Sequence, residues 1–534
     1  MPFISAKKYN EAFVKIECDV DVARRIKNLF SCFSPGYKFS PKFRECLLVK
    51  DCPTPKERSS SEKCCRFKCP NFARAWNGRI SAFKLTNYLL PIGLYEDFID
   101  WANKYNYNIG GCFLPTKGLY EDKFFEKFYA TIFENSNIYP RDYQHEAIKA
   151  AINNRIGIIE HATGSGKTSV EYSIIRFLLA MNKRVCVVVP NIMLVEQLRA
   201  EFKGYGWANV DDHMAIMYTG EEPDLNKPIL VSTFQSLVKK NDSYLSRFQG
   251  VLIDEAHYTK SKSVKDILDR MTKAEYRIGL TGSLPDNEDQ EEALNNMTIK
   301  GCLGKVIAQK PASELIDEGV LSKITIINLI LKYPDIICRK VQSMDYEGEK
   351  EFINENRMRY KAIDLILNNT PKEENTLILC TERQYLDDVN KYIDEKFKDK
   401  FVVRKIHGKI KIKKRLEVQQ EMEDESGIIT VATYGTLSTG VNIKRLHNLI
   451  CLSSYKSKIK IIQTIGRGLR LHETKDQLLV YDVVDDLRIK DGDKILDNYI
   501  WKHFIERRKI YKRHGYKFVD RMVKLEQLGY NIGD

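Results

Sequence analysis

Apolar residues along this chain follow two alternating rhythms. Short continuous runs at 156–159, 185–189, 229–231, 251–253 and 278–280 each end in polar or glycine residues. Runs of that length between turn residues predict buried strands. Between them apolar side chains recur at helical spacing, as Val170, Ile174, Phe177 and Leu178 do. Strands alternating with helices predict a parallel sheet, and such sheets gather ligands at the carboxyl ends of their strands. A second series at 376–380, 401–406, 428–432, 449–452 and 478–484 predicts another sheet of the same kind, after a connection near 322–332.

The two ends read differently. Residues 1 to 117 show an alternating run at 13–18 and amphipathic helices at 20–33 and 94–105. Asn77-Gly78, between alternating segments at 72–76 and 80–85, predicts a hairpin. Beyond 491 the pattern is helical, with Tyr499, Phe504, Ile505 and Ile510 among Lys502, Arg507, Arg508, Lys509, Lys512 and Arg513. The expected class is α/β: a small basic N-terminal α/β domain (1–117), two parallel-sheet domains (118–325 and 326–490) and a basic helical extension (491–534). That extension packs on the second sheet, touches nucleic acid, or does both.

Charge sharpens the picture of the N-terminal domain. The 534 residues carry a formal net charge of +13, which favours a polyanionic partner. Residues 1–120 hold 20 Lys/Arg against 11 Asp/Glu, and 35–84 hold 12 against 4. These basic residues are interleaved with Tyr37, Phe39, Phe43, Phe67, Phe72, Trp76 and Phe83. Basic groups neutralise phosphates while aromatic faces stack on unpaired bases, so Lys38, Lys42, Arg44, Trp76 and Arg79 are candidate nucleic-acid contacts. No apolar run approaches ~18 residues and the N-terminus lacks a signal-peptide pattern, so a cytoplasmic protein without a membrane partner is expected. The 13 cysteines should then stay reduced. Cys46, Cys52, Cys64, Cys65 and Cys69 crowd together and could hold Zn²⁺, although paired C-x₂-C spacing is missing.

The candidate chemistry lies at the predicted strand ends. His161-Ala162-Thr163-Gly164-Ser165-Gly166-Lys167-Thr168 has the strand–glycine turn–helix context of a phosphate-binding loop. Its backbone N–H groups cradle phosphates, Lys167 reaches the β/γ-phosphates and the Thr168 hydroxyl holds Mg²⁺. Asp254 can hold the same Mg²⁺, and Glu255 can take a proton from the attacking water. Gln144, in Arg141-Asp142-Tyr143-Gln144, can pair with both N6 and N7 of adenine, which makes the nucleotide ATP. In the second series Gln463 precedes Arg467 and Arg470, two arginines on one helix face suited to the charge developing on a γ-phosphoryl group. Pro190, Asn191, Gln197, Ser232, Thr233, Gln235 and Thr433 sit at further strand ends, where they can grip a nucleic-acid backbone.

Arg141–Gln144, HATGSGKT, VVVPN, STFQ, DEAH, TGS, the Ser438-Thr439-Gly440 segment and QTIGRGLR occur in the order and spacing of superfamily 2 helicases, which the chain resembles. Outside the motor, PGYKFSPKFR (35–44), WNGRI (76–80) and LLPIGL (89–94) resemble the UvsW family of phage helicases. The resemblance implies two tandem RecA-like domains and ATP-dependent remodelling of branched or forked DNA and RNA–DNA hybrids, in recombination, repair and replication. It carries ATPase roles to Lys167, Thr168, Asp254, Glu255, Gln463, Arg467 and Arg470, with Arg141 and Gly440 beside the nucleotide. His257, Thr281 and Ser283 would couple hydrolysis to strand grip. His161 and Asn442 depart from the superfamily's usual Gly or Ala and Asp, and the cysteine-bearing insertion has no family counterpart. A monomer is expected. The competing readings are an RNA helicase, which shares every motor motif, and the motor of a restriction nuclease.

Overall fold

The computed structural model describes residues 3–45, 74, 76–111, 120–217, 223–285, 292–437, 443–453, 465–466 and 468–525. The chain divides into two compact units, Met1–Glu160 with Thr168–Gln309, and His161–Lys167 with Lys310–Asp534.

In the first unit a small N-terminal sheet has the order Leu89–Pro91, Phe13–Glu17, Phe3–Lys8, Asn108–Gly110. Helices Val20–Leu29 and Tyr95–Lys104 place Val22, Ala23, Ile26 and Phe98 in its core with Ile4, Val14, Ile16 and Leu90. Arg79–Ser81 pairs antiparallel with Ser31–Phe33. Of the other arm of the expected hairpin, 72–76, only residues 74 and 76 are among those described. This module meets the neighbouring domain through helix Ala293–Leu303. Lys300 and Lys305 form ion pairs with Asp97 and Glu96, each at 2.7 Å. Gly93 makes the approach possible: a Cβ there would lie 2.0 Å from the Lys300 carbonyl oxygen and 2.6 Å from the Gly304 nitrogen. Only a hydrogen fits in that space.

The main sheet of this unit runs Val306–Lys310, Ile156–His161, Tyr276–Thr281, Gly250–Asp254, Val185–Val189, Ile229–Thr233, Met214–Met217. The five expected strands are all present and pair parallel to one another, and the first and last strands extend the sheet at its edges. All five residues of Val185–Val189 are buried, which explains why that strand reads as continuous rather than alternating. Burying a single valine side chain contributes about 1.5–3 kcal/mol.

The second unit holds a seven-stranded sheet in the order Val402–Ile406, Ile428–Thr433, Thr376–Cys380, Asn448–Cys451, Gln477–Asp486, Lys323–Lys332, Lys517–Lys524. Every adjacent pair is parallel. Two of these strands differ from the sequence expectation. Residues 323–332, read as a connection, form a ten-residue strand. The C-terminal extension supplies both the expected helix, Tyr499–Arg513, and an edge strand, Lys517–Lys524. Asn328 joins the two, donating from Nδ2 to Asp520 Oδ1 at 2.8 Å. The helix is pinned by Arg507, whose buried guanidinium meets both carboxylate oxygens of Asp482 at 2.8 and 2.9 Å. No helix among the described residues is long and apolar enough to cross a membrane.

Candidate nucleotide and nucleic-acid site

The phosphate-loop candidate turns between strand Ile156–His161 and helix Lys167–Ala180. Gly164 and Gly166 have φ of 87° and 81°, a left-handed backbone that a side chain would strain. Lys167 Nζ donates to the carbonyls of His161 (3.1 Å) and Ala162 (3.4 Å), so its ammonium lies across the loop mouth. His161, where the superfamily favours a small residue, is buried; desolvation and the charges of Lys167 and Lys310 bring its imidazole down to about 3. The ring is therefore neutral at physiological pH and adds no positive charge to the loop.

Strand Gly250–Asp254 delivers the two carboxylates. Asp254 is level with Leu280 on the neighbouring strand, one residue before Thr281. Glu255 follows at φ 58°, left-handed although it is not glycine, and opens the short 3-10 segment Ala256–Lys260. His257 is 4% exposed, and its Nδ1 lies 3.3 Å from Glu255 Oε2 and 3.2 Å from Thr281 Oγ1. The Thr281 hydroxyl donates to the Ser283 carbonyl at 3.0 Å, so it can only accept from the imidazole, which fixes the proton on Nδ1. One ring thus links the candidate general base to the TGS segment. The Thr168 hydroxyl and the Asp254 carboxylate are hard oxygen donors, the chemistry Mg²⁺ takes, and would hold it.

Gln144 is the third residue of helix Asp142–Asn154; its Oε1 accepts from the Arg141 backbone N–H at 2.9 Å. The amide oxygen therefore caps the helix, and Arg141 reaches the Tyr143 hydroxyl at 3.3 Å. Glu160 was not singled out by sequence. Its carboxylate accepts from Leu284 N and Gln309 Nε2, both at 3.0 Å, and so ties the strand before the loop to the chain after TGS. Its partners are 124 and 149 residues away, and no local pattern announces them.

Thr233 is level with Val189 in the parallel register, which brings Pro190 and Asn191 to the same sheet edge as Thr233. Asn191 caps helix Ile192–Gly204 through Leu194 N, Gln197 bonds Glu201, and the buried Ser232 hydroxyl donates to Met217 O. Gln235 is exposed. In the second unit Thr433 Oγ1 lies 2.5 Å from Thr436 Oγ1, and Arg470 follows the short helical segment around Ile465 and Leu469. Gly440, Gln463 and Arg467 lie outside the described residues, as do Cys46, Cys52, Cys64, Cys65 and Cys69. No cluster of metal-ligating side chains occurs among the described residues.

In the N-terminal module the candidate contacts gather around stacked rings. Phe33 stacks on Tyr37 at 4.6 Å and Tyr37 meets Phe43 edge-on at 4.9 Å. Arg79 lies 4.7 Å over Phe33, Arg74 lies 4.3 Å over Phe43, and Trp76 Nε1 donates to the Arg79 carbonyl at 2.8 Å. Phe43 is core, whereas Phe39 is 77% exposed beside exposed Lys38, Lys42 and Arg44. An exposed ring among cations suits base stacking with phosphate neutralisation.

Comparison with known proteins agrees with this layout. Residues 137–286 match the family model described as type III restriction enzyme, res subunit, and 358–472 match the helicase conserved C-terminal domain. The ATP-dependent DNA helicase uvsW of Enterobacteria phage T4 is 26% identical over 531 residues, spanning 96% of this chain and 98% of that one. The DNA 3'-5' translocase XPB2 of Sulfurisphaera tokodaii is 24% identical over 371 residues, 64% of this chain and 80% of that protein. A fragment of a putative HsdR subunit of a type I restriction enzyme from Vibrio vulnificus YJ016 shares the fold, with a TM-score of 0.55, 17% identity and coverage of 86% and 91%.

Proposed function

We propose that the chain carries a superfamily 2 helicase motor similar to that of phage UvsW and is an ATP-dependent DNA helicase and translocase that remodels branched DNA. Its work is branch migration, fork regression and the unwinding of D-loops and R-loops, performed as a monomer. Lys167 and the loop amides bind the phosphates, Thr168 and Asp254 hold Mg²⁺, and Glu255 activates water. Bound Mg²⁺ supplies Lewis acidity to the γ-phosphoryl group. Arg467 and Arg470 stabilise the charge that develops there, and Gln463 supports them. His257 passes the state of the hydrolytic centre to Thr281 and the strand-gripping segments. The working division is 1–117 for DNA binding, 118–325 and 326–490 for the motor, and 491–534 as an extension bracing the second sheet.

The observation that carries the branched-DNA reading is the basic, aromatic module fixed on the first motor domain through Gly93, Lys300 and Lys305. A head held this way moves with the motor, so a junction bound there advances with each cycle. The res-subunit match favours a second reading, the motor of a restriction-type nuclease. Strand-separation assays on forks, Holliday junctions, D-loops, R-loops and RNA duplexes under one condition decide the substrate. Branched DNA and R-loops are expected to be processed faster than RNA duplexes. Preference for RNA duplexes would replace this reading with an RNA helicase, and translocation without strand separation would favour the restriction-type motor.

A further inference from the structure

Arg470 lies just past a helical segment that reaches Gly468, and the carbonyls at and beyond a helix end have no partners within it. Here three consecutive ones are held from outside. Lys475 Nζ donates to Gly468 O at 2.7 Å, Ser322 N donates to Leu469 O at 2.6 Å, and Ser322 Oγ donates to Arg470 O at 3.0 Å. Lys475 also donates to Lys444 O at 2.9 Å, which ties the turn to the chain leading into strand Asn448–Cys451. Both anchors are buried, Ser322 at 2% and Lys475 at 5% exposure. Below them the chain packs closely at Gly468, where a Cβ would crowd the terminal methyls of Leu478 at 2.9 Å and Leu446 at 3.1 Å.

We propose that Ser322 and Lys475 are positioning residues for ATP hydrolysis, clamping the backbone of the turn that aims Arg470 at the nucleotide. The inference rests on the reading of Arg470 as an arginine finger. Such a group acts only if its guanidinium meets the developing charge with sub-ångström accuracy, and a long side chain inherits every displacement of its own backbone. A lysine also suits a helix C-terminus, where its charge opposes the dipole. Burial brings the Lys475 ammonium down to about 8, opposed in part by the charge of Glu423. Neither residue belongs to a recognisable helicase motif in the sequence. Ser322 stands 148 positions from its partner Arg470.

The test is steady-state ATP hydrolysis at saturating forked DNA, on full-length variants whose thermal melting shows them folded. Ser322→Ala and Lys475→Met should each lower kcat by roughly tenfold, with KM for ATP within about twofold of the parent, because the phosphate-binding groups are untouched. Ser322→Thr, which keeps the hydroxyl, should retain most of kcat. In an Arg470→Ala background, Ser322→Ala should cost nothing further, since the clamp acts only through that arginine. Normal kcat in both folded anchor variants, or losses that add to that of Arg470→Ala, would overturn the inference alone. Normal kcat in Arg470→Ala would overturn the arginine reading and this inference with it.

Discussion

His257 Nδ1, on a buried ring, lies 3.3 Å from the partly exposed Glu255 carboxylate. The same atom reaches Thr281 at 3.2 Å, so a change in the charge or position of Glu255 is felt at the TGS segment through one ring. His257→Ala should therefore weaken coupling more than chemistry. Strand separation per ATP hydrolysed is expected to fall about tenfold, the scale of a typical coupling free energy. Parallel measurement of ATP turnover and fork unwinding checks it; equal losses in both would show that the ring serves hydrolysis alone.

Glu255 stores strain at the same site. A non-glycine residue in the left-handed region costs about 1–2 kcal/mol and persists where surrounding structure imposes it. Glu255→Gly should abolish turnover while raising unfolding stability by about 1 kcal/mol. Denaturant titration against Glu255→Gln, which keeps the strain, makes the comparison.

His161 predicts an acid sensitivity. Its folded value, about 3, lies below the ordinary 6.5, so below pH 6.5 the unfolded state binds the extra proton and stability falls as pH falls. Between pH 8 and 5 this group alone should remove about 2 kcal/mol. His161→Gln should flatten that part of the stability–pH profile, measured by urea unfolding at both pH values.

Much of this was legible locally, and what was not shares one cause. The strand–glycine turn–helix run at His161–Lys167 and the apolar run into Asp254-Glu255 are signals within a few residues, and the expected strands are there. Strand Lys323–Lys332 was read as a connection because Asn328 breaks its apolar run. That polar residue is buried, and its amide donates to Asp520, 192 positions away. Lys517–Lys524 is an edge strand, half charged, and carries no buried-strand pattern of its own. The Ser322, Lys475 and Glu160 contacts likewise depend on distant pairings. The amide of Gln144 is the exception: its capping bond spans three residues and follows from sequence once the helix start is known.

The head-to-motor seam offers a separate handle. Gly93→Val places methyl groups where the Lys300 carbonyl stands, and overpacking of this kind costs about 1–3 kcal/mol. Fork affinity is expected to drop about tenfold while DNA-independent ATP hydrolysis persists. Unchanged fork binding would mean that the module works without being fixed to the motor.

The most direct measurement of the central claim is ATP hydrolysis with and without forked DNA, for the parent protein and for Glu255→Gln. The parent should be stimulated by the fork, and the variant should lose roughly 10²–10⁴-fold of that rate while still binding ATP, the loss expected on removing a general base. Turnover in Glu255→Gln equal to the parent's, or a parent indifferent to DNA, would contradict the account of this chain as a DNA-driven ATPase motor.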